Sequence, residues 1–292
     1  MWTSVSAAQP RPFFKPWALA AALLLGGCAL QANLPAADQP WPQTLSQWRD
    51  ASLILLGEQH DQAAHHRWEA DTVRSLTAQG RLAAVVVEMA AAGGSTRALP
   101  AGASEEEVKA ALLWEQGGGW PWQDYGPVVM SAVRAGVPVL GGNLPRTQMK
   151  TAMAETRYDS HLSQAGWQLQ LDAIKSGHCG LLPESQFAPM ARVQLARDET
   201  MAGVAATAVR DLAGPGRSVL LIAGRGHVRA DIGVPTWLPA GLSVKVAIAQ
   251  SDLAPDAGQM KADKLLTLPG SAAEDQCTQL RQQWQDRAAA RP

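Results

Sequence analysis

Four short apolar segments, widely spaced along the chain, each end in a glycine, a carboxylate, an amide or a histidine. They lie at residues 55–60, 85–88, 139–143 and 221–227. Runs of this kind are typical of buried parallel strands, whose carboxyl ends open into loops. Because ligands of open α/β sheets bind beyond those carboxyl ends, we expect the polar residues that end the four segments to meet at one site.

Strands and helices alternate along the chain, and this alternation predicts the fold class. We expect an α/β fold with a mostly parallel sheet that has helices on both faces. Residues 145–213 have a mainly helical pattern, which predicts a helical insertion near the carboxyl edge that could form a lid. The last elements predicted are a strand at 244–249 and a helix at 272–287. The folded domain is predicted to span residues 48–292.

Residues 1–27 have the pattern of a signal peptide. Two basic residues, Arg11 and Lys15, accompany an apolar stretch at 17–25 that is too short to span a bilayer comfortably. Removal of residues 1–27 would change the formal net charge from −1 to −3. No cluster of lysines or arginines stands out in the sequence, so nucleic acid is not an expected partner.

The sequence Leu-Gly-Gly-Cys at 25–28 resembles a bacterial lipobox. In that interpretation Cys28 becomes the lipidated first residue of the mature protein, and the lipid is its contact with the membrane. Alternatively, an ordinary signal peptide precedes an incidental cysteine. Ala29 favours the outer membrane, with the protein facing the periplasm or the cell surface. Residues 28–47, rich in Ala, Pro and Gln, are expected to form a tether.

Two further cysteines, Cys179 and Cys277, remain after Cys28 is assigned. The oxidising compartment of an exported protein would allow them to pair. They are nearly a hundred residues apart, and the sequence leaves open whether they meet in the fold.

Glu58, His60, Glu88 and His227 are the strongest candidates for chemistry. Histidine and glutamate are the usual ligands of catalytic metals and the usual proton carriers, and the neighbouring glycines let the backbone turn tightly beside a ligand. The sequence contains no metal motif of the HExxH type, so the prediction rests on where these residues lie. Alternatively, they are hydrogen-bonding groups that hold the loops together at the sheet edge.

Three other histidines and one arginine have weaker patterns. His65 and His66 lie about one helical turn before Glu69, and this spacing favours a solvated helix face over a functional role. His178 stands beside a cysteine in a loop of the insertion, which is weak evidence for metal or haem. Arg197 falls on an apolar stripe of its helix, where a guanidinium needs an anion, either a structural carboxylate or a substrate.

An unusual aromatic stretch contains Trp114, Trp120, Trp122 and Tyr125, in a chain with only two tyrosines and three phenylalanines. Three tryptophans among glycines form an apolar surface, which could be a hydrophobic lid or a dimer contact. Alternatively, this surface binds a flat aromatic ligand such as a porphyrin, with Tyr125 as a phenolate ligand of the iron.

Together these segments resemble the ChaN-like haem-binding uptake family, within the Tiki and erythromycin-esterase-like superfamily. The superfamily is marked by two Gly-x-x-His motifs with an acidic residue between them, here residues 57–60, Glu88 and residues 224–227. The narrower resemblance to ChaN covers roughly residues 48–250 and the lipobox. It rests on six segments in this order: 57–66, 120–125, 143–146, 177–183, 190–201 and 226–229.

The resemblance implies a lipoprotein of haem or iron uptake that binds haem at a homodimer interface. The expected partners are haem, a second copy of the chain and haem transport components. A tyrosine ligand of the iron is implied, for which Tyr125 is the match, and a histidine from the partner subunit, for which we choose His178 over His65 and His66. The other expected haem contacts are Trp120, Trp122 and Arg197.

The wider superfamily implies an alternative function, that of a metal-dependent hydrolase. In that case Glu58, His60, Glu88 and His227 would be the catalytic residues, and His60 and His227 would hold a divalent metal. The two functions are compatible if an older catalytic edge lies beneath the haem site.

Overall fold

The computed structural model describes residues 1–2, 39–116, 118–253, 260–271 and 276–289. Residues 3–38 lie outside this description. They include most of the predicted signal peptide, Cys28 and the first part of the predicted tether, so these remain expectations. Within the described ranges, no helix combines the length and the apolar character needed to cross a membrane.

A parallel sheet forms the centre of the protein. Its strands lie in the order β3-β2-β4-β1-β5-β6, and each neighbouring pair is parallel. The carboxyl ends of these strands therefore share one edge. The strands are β1 (Leu53–Glu58), β2 (Leu82–Ala91), β3 (Val139–Asn143), β4 (Ser218–Gly224), β5 (Val244–Ser251) and β6 (Lys264–Leu268).

Helices surround this sheet. The third of them begins with a capping box, in which the hydroxyl of Ser104 accepts from the backbone of Glu107 and the carboxylate of Glu107 accepts from the backbone of Ser104. The helices are α1 (Trp41–Gln47), α2 (Ala63–Ala78), α3 (Glu105–Ala111), α4 (Trp122–Arg134), α5 (Met149–Ala154), α6 (Gln164–Gly177), α7 (Phe187–Leu212), α8 (Arg225–Val228) and α9 (Gln276–Ala289).

The apolar strands are covered on both faces, which is why they contain continuous hydrophobic runs. Side chains alternate between the faces of a strand, so Ile54 and Leu56 of β1 belong to one core with residues of α2 and α4. Leu53 and Leu55 belong to a second core with residues of α7. The predicted fold class, a mostly parallel sheet with helices on both faces, is confirmed.

The helical insertion lies between β3 and β4, as predicted, and contains α5, α6 and α7. Only part of it can be a lid. The second half of α7 packs on the sheet through residues that include Met201 and Ala205. The first half of α7 joins α5 in a smaller core that contains Leu144, Val193 and Leu195.

The folded region begins earlier than the predicted boundary at residue 48. Residues 41–47 form α1 rather than the end of a tether, and Leu45 is only 2% exposed within the larger core. Pro42 lies in the first turn of α1, where the missing amide of a proline costs nothing. The edge strand β6 was also not predicted.

A disulfide joins Cys179 to Cys277 across 98 residues of sequence, which answers the question that the sequence leaves open. Cys179 lies in the turn after α6, and Cys277 lies at the start of α9. The bond therefore fastens the C-terminal helix to the insertion. Closing a long loop in this way stabilises a fold mainly by restricting the unfolded chain.

The buried side chain of Arg81 holds α1 against the sheet, because its guanidinium donates to the carbonyl oxygens of Leu45 and Trp48 at 3.2 and 3.1 Å. Hydrogen bonds from a charged donor contribute about 1.5–3 kcal/mol each. We expect Arg81→Ala to lower the free energy of unfolding by about 2–4 kcal/mol, measured by urea denaturation.

Arg74→Ala is the matched control, because Arg74 makes an exposed pair with Asp71 on α2, and such pairs contribute about 0–1 kcal/mol. Equal effects of the two substitutions would show that α1 is not docked through Arg81.

Candidate functional site

Two buried glutamates lie at the carboxyl edge of the sheet. Glu58 ends β1, Glu88 lies in β2, and they are 1% and 2% exposed. A buried carboxylate is costly unless it is paired and hydrogen-bonded, so the partners of these two groups define the site.

Glu58 is surrounded by donors. Its Oε1 accepts from the Tyr125 hydroxyl at 2.8 Å and lies 2.8 Å from Nδ1 of His60. Its Oε2 lies 3.0 Å from Nε2 of His66. Burial alone would raise the pKa of Glu58, but the hydrogen bonds from His60 and His66 lower the pKa to about 2. Glu58 is therefore an ionised carboxylate throughout the physiological range.

Glu88 lies between the two Gly-x-x-His turns. Its Oε2 accepts from the backbone amide of Gly224 at 2.8 Å and lies 3.7 Å from Nε2 of His60. Its Oε1 lies 3.5 Å from Nε2 of His227. Burial acts to raise the pKa of Glu88, and the charges of His227 and His60 outweigh it, so the pKa is lowered. The prediction that His60, Glu88 and His227 converge is confirmed by these distances.

His227 has a second carboxylate partner that the sequence did not reveal. Its Nδ1 lies 2.6 Å from Oδ1 of Asp198, a fully buried residue of α7. Burial raises the pKa of Asp198 to about 6, against the opposing effect of His227. The pKa of His227 itself is raised, because Glu88 and Asp198 together outweigh its burial.

The apolar stripe predicted for α7 is only partly its buried face, since Val193 and Met201 are buried and Arg197 is not. The buried positions of α7 also include Asp198 and Ala205, and Asp198 is the one acidic residue among them. Arg197 is only half-buried. It still lies close enough for its charge to act on Glu88, Asp198 and His227, so the expectation that it needs an anion is consistent with its surroundings.

The resulting network alternates carboxylates and imidazoles, from Glu58 through His60, Glu88 and His227 to Asp198. It can hold or move protons along the sheet edge. Burial acts to lower the pKa of His60, and the hydrogen bond that His60 donates to Glu58 raises it, so that the net shift of the pKa is upward. Across the described ranges, His, Cys, Asp and Glu side chains form no group of three arranged to hold a metal ion.

Two glycines allow the turns to approach each other this closely. A Cβ on Gly224 would lie 2.7 Å from Nε2 of His60, and a Cβ on Gly57 would lie 2.4 Å from a methyl group of Val228. The glycine in each Gly-x-x-His turn therefore makes room for a side chain of the other turn.

His65 and His66 are buried, and the interpretation of a solvated helix face was wrong. Nδ1 of His65 accepts from the backbone amide of Gln59 at 2.9 Å, which fixes the first turn, and His66 contacts Glu58. Glu69 is also fully buried. The i,i+3 and i,i+4 spacings from these histidines to Glu69 fit an exposed charged face and a buried polar cluster equally well. The sequence therefore did not distinguish the two.

Tyr125 does not fit the expected role of a phenolate iron ligand. It is 2% exposed, and its hydroxyl donates to the ionised Glu58. Burial and the negative charge of Glu58 raise its pKa strongly, so the neutral phenol is favoured. Its position instead makes it a donor that supports Glu58.

The aromatic stretch is divided between two environments. The ring of Trp120 lies 4.4 Å from that of His60, measured between centroids, so Trp120 borders the site. Trp122 packs edge-on against Trp114 and donates from Nε1 to Glu105 at 2.7 Å. It is therefore held against α3. The four aromatic rings pack on one another at mixed angles, and Trp114 and Tyr125 are buried, so they do not present one flat exposed surface.

A cavity of about 780 Å³ opens beside this network. Its volume lies within the usual range for small-molecule and cofactor sites, about 300–1,000 Å³. The sheet edge, the insertion and α9 each supply part of its wall, and His178 is on the insertion side. The lining residues are Glu58, Gln59, His60, Asp61, Gln170, Ala173, Ile174, Gly177, His178, Gln194, Gly224, Arg225, Gly226, His227 and Cys277.

Residues 44–238 match the family described as haem-binding uptake, Tiki superfamily, ChaN. This match spans more than half of the chain. The chain belongs to the ChaN family. No curated protein sequence is significantly similar to it.

A solved structure of a ChaN protein shares this fold. The structure of ChaN of Campylobacter jejuni, described by its cofacial haem binding, has a TM-score of 0.64 and 20% identity, and the similarity covers 80% of this chain and 93% of that one. A mutant of the erythromycin esterase EreC in its open conformation has a TM-score of 0.43 and 15% identity, with 80% of each chain covered.

Glu69 gives a pH-dependent test of this ChaN-family site. Burial, followed by the charge of Glu58, raises its pKa well above the ordinary value, and neither of its oxygens has a hydrogen-bond partner among the described residues. The folded protein therefore favours the protonated form of Glu69. The stability that this form contributes is complete below the unfolded pKa of about 4.3 and is lost as the pH rises through the folded pKa.

We expect Glu69→Gln to match the wild type near pH 4 and to be more stable at pH 7–8. The gain in the free energy of unfolding should grow by up to about 1.4 kcal/mol for each pH unit between the unfolded and the folded pKa of Glu69. It is measured by urea denaturation at several pH values. The exposed Glu184→Gln is the control, with no such trend. Parallel curves for Glu69→Gln and the wild type would mean that Glu69 is ionised in the folded protein.

Proposed function

We propose that this protein is a membrane-anchored lipoprotein that binds haem and takes part in haem or iron uptake. Membership of the ChaN family supports haem as the ligand. The observation in the structure that carries the proposal is the position of His178, which lines the cavity beside the sheet edge with one ring nitrogen held by the backbone.

The hydrogen bond of His178 fixes which nitrogen an iron could reach. Nδ1 lies 2.8 Å from the carbonyl oxygen of Ile174, and because a carbonyl only accepts, Nδ1 must carry the proton. In a neutral ring the lone pair is then on Nε2. Imidazoles that bind metals usually have this arrangement, with the other nitrogen donating to a backbone carbonyl or a carboxylate.

The cavity has the mixed chemistry that a porphyrin needs. Ala173 and Ile174 give it an apolar wall, and Arg225 brings a positive charge to a ligand with two carboxylates. Arg197 adds positive charge close to the same edge. When bound, haem would supply the iron and its redox and ligand-binding chemistry, while these residues hold and orient it.

The anchor and the dimer are parts of the same proposal. Lipid on Cys28 would place the protein on the outer membrane, and the Cys179–Cys277 disulfide supports an oxidising compartment. A homodimer with haem at its interface, and Trp120 as a haem contact, are included because the family resemblance implies them. The Campylobacter jejuni protein is described by cofacial haem binding. Trp122 and Tyr125 are not proposed as haem contacts, since Trp122 donates to Glu105 and Tyr125 donates to Glu58.

Hydrolysis is the second candidate function, favoured by the paired His227 and Asp198 beside Glu88 and His60. An imidazole held by a carboxylate on a cavity wall can act as a general base towards a water molecule. The metal-dependent form of this function has less support, because the described residues include no group of three His, Cys, Asp or Glu side chains arranged to hold a metal ion.

A haemin titration tests the proposal. We expect wild-type protein to shift the Soret band with saturation at one haem per chain, and His178→Ala to weaken haemin affinity at least about tenfold, because it removes the ligand nitrogen. His161→Ala is the matched control, since His161 stacks on Trp237 at 3.4 Å and does not line the cavity. Tyr125→Phe should keep the wild-type spectrum.

The absence of any Soret shift with wild-type protein would contradict the haem proposal. Hydrolysis of model esters that His227→Ala abolishes, in haem-free protein, would support the second candidate instead. Metal analysis of the protein as purified distinguishes metal-dependent from metal-free hydrolysis.

A further inference from the structure

The disulfide lies at the edge of the proposed haem site. Cys179 directly follows His178 in the turn after α6, and Cys277 itself lines the cavity. The bond thus connects the residue next to the proposed iron ligand with the C-terminal helix α9, which forms one wall.

Cys179 lies in a backbone conformation that suits glycine better than a residue with a side chain. Cys179 has a φ of +57°, in the left-handed region that favours glycine, and Gly180 follows with a φ of +67°. A residue with a side chain is strained in such a conformation, and a glycine would avoid the strain. The side chain at Cys179 contributes the bond to Cys277.

The same turn sets the position of His178. Its backbone amide and its Nδ1 both contact the carbonyl oxygen of Ile174, at 3.2 and 2.8 Å. The amides of Cys179 and Gly180 donate back to Ser176 and Lys175 at 2.9 Å each. A movement of the turn would therefore move the imidazole, and the disulfide opposes that movement.

We propose that the Cys179–Cys277 disulfide is a positioning element of the haem site, which holds His178 in place by tying the turn after α6 to α9. This inference rests on the proposed haem-binding function. The disulfide makes the haem site sensitive to thiols. A dithiol gives two electrons and two protons, the bond between the two sulfur atoms breaks, two cysteine thiols form, and the dithiol becomes a disulfide. The reduced protein holds haem less tightly.

The test uses the full chain with Cys28→Ser, which leaves Cys179 and Cys277 as its two cysteines. Haemin affinity is measured on the oxidised protein and on protein reduced with a dithiol that is removed without air. Haem-free samples are labelled with diethyl pyrocarbonate, and the modification of His178 and His161 is followed by peptide mass spectrometry. Circular dichroism confirms that each sample is folded.

We expect reduction to weaken haemin binding about tenfold or more and to increase the labelling of His178 several-fold, while labelling of His161 stays unchanged. Cys179→Ser with Cys277→Ser should behave like the reduced protein and should not respond to the dithiol. If that variant does not fold, Cys179→Gly with Cys277→Ala replaces it, because glycine suits the left-handed turn.

Equal haemin affinity and equal His178 labelling in the oxidised and reduced proteins would overturn the inference and leave the disulfide as a general stabiliser. If the oxidised protein binds no haemin at all, the proposed function fails. The labelling of His178 still decides in that case whether the disulfide positions the imidazole.

Discussion

Glu88 is a buried carboxylate that accepts a backbone hydrogen bond from Gly224 and lies within 3.7 Å of the imidazoles of His60 and His227. A carboxylate in that position cannot be left without partners, since an unpaired buried charge costs several kcal/mol. The ends of β1, β2 and β4 must therefore stay together for the charges to be satisfied. The rest of the site is arranged around this contact.

The parts of the cavity differ in how firmly they are held. The sheet edge is fixed by the charge network and by two glycines that admit the facing turn. The opposite wall depends on α6 and on α9, and the disulfide between Cys179 and Cys277 links them. The cavity thus has a floor at the sheet edge and a wall formed by α6 and α9. The hydrolytic candidate would use the floor, and haem binding would use the wall at His178.

The sequence predicted every strand but β6, and it predicted the convergence of Glu58, His60, Glu88 and His227, because parallel strands bring their carboxyl ends to one edge. It did not reveal Asp198, since the apolar spacing along α7 gave no sign that a carboxylate at position 198 would be buried. Other features depend on contacts between distant segments. These are the burial of His65 and His66, the hydrogen bond from Tyr125 to Glu58, and the pairing of the two cysteines. Local spacing carries no information about such contacts.

The central claim is that Glu88 joins the two Gly-x-x-His turns into one site. It is tested most directly by titrating the imidazoles of His60 and His227 by NMR, in the wild type and in Glu88→Gln. We expect the pKa of both histidines to fall in Glu88→Gln, whereas Asp198→Asn should lower the pKa of His227 and leave that of His60 unchanged. If Glu88→Gln changes the pKa of one histidine and not the other, the turns do not share Glu88 and the account is contradicted.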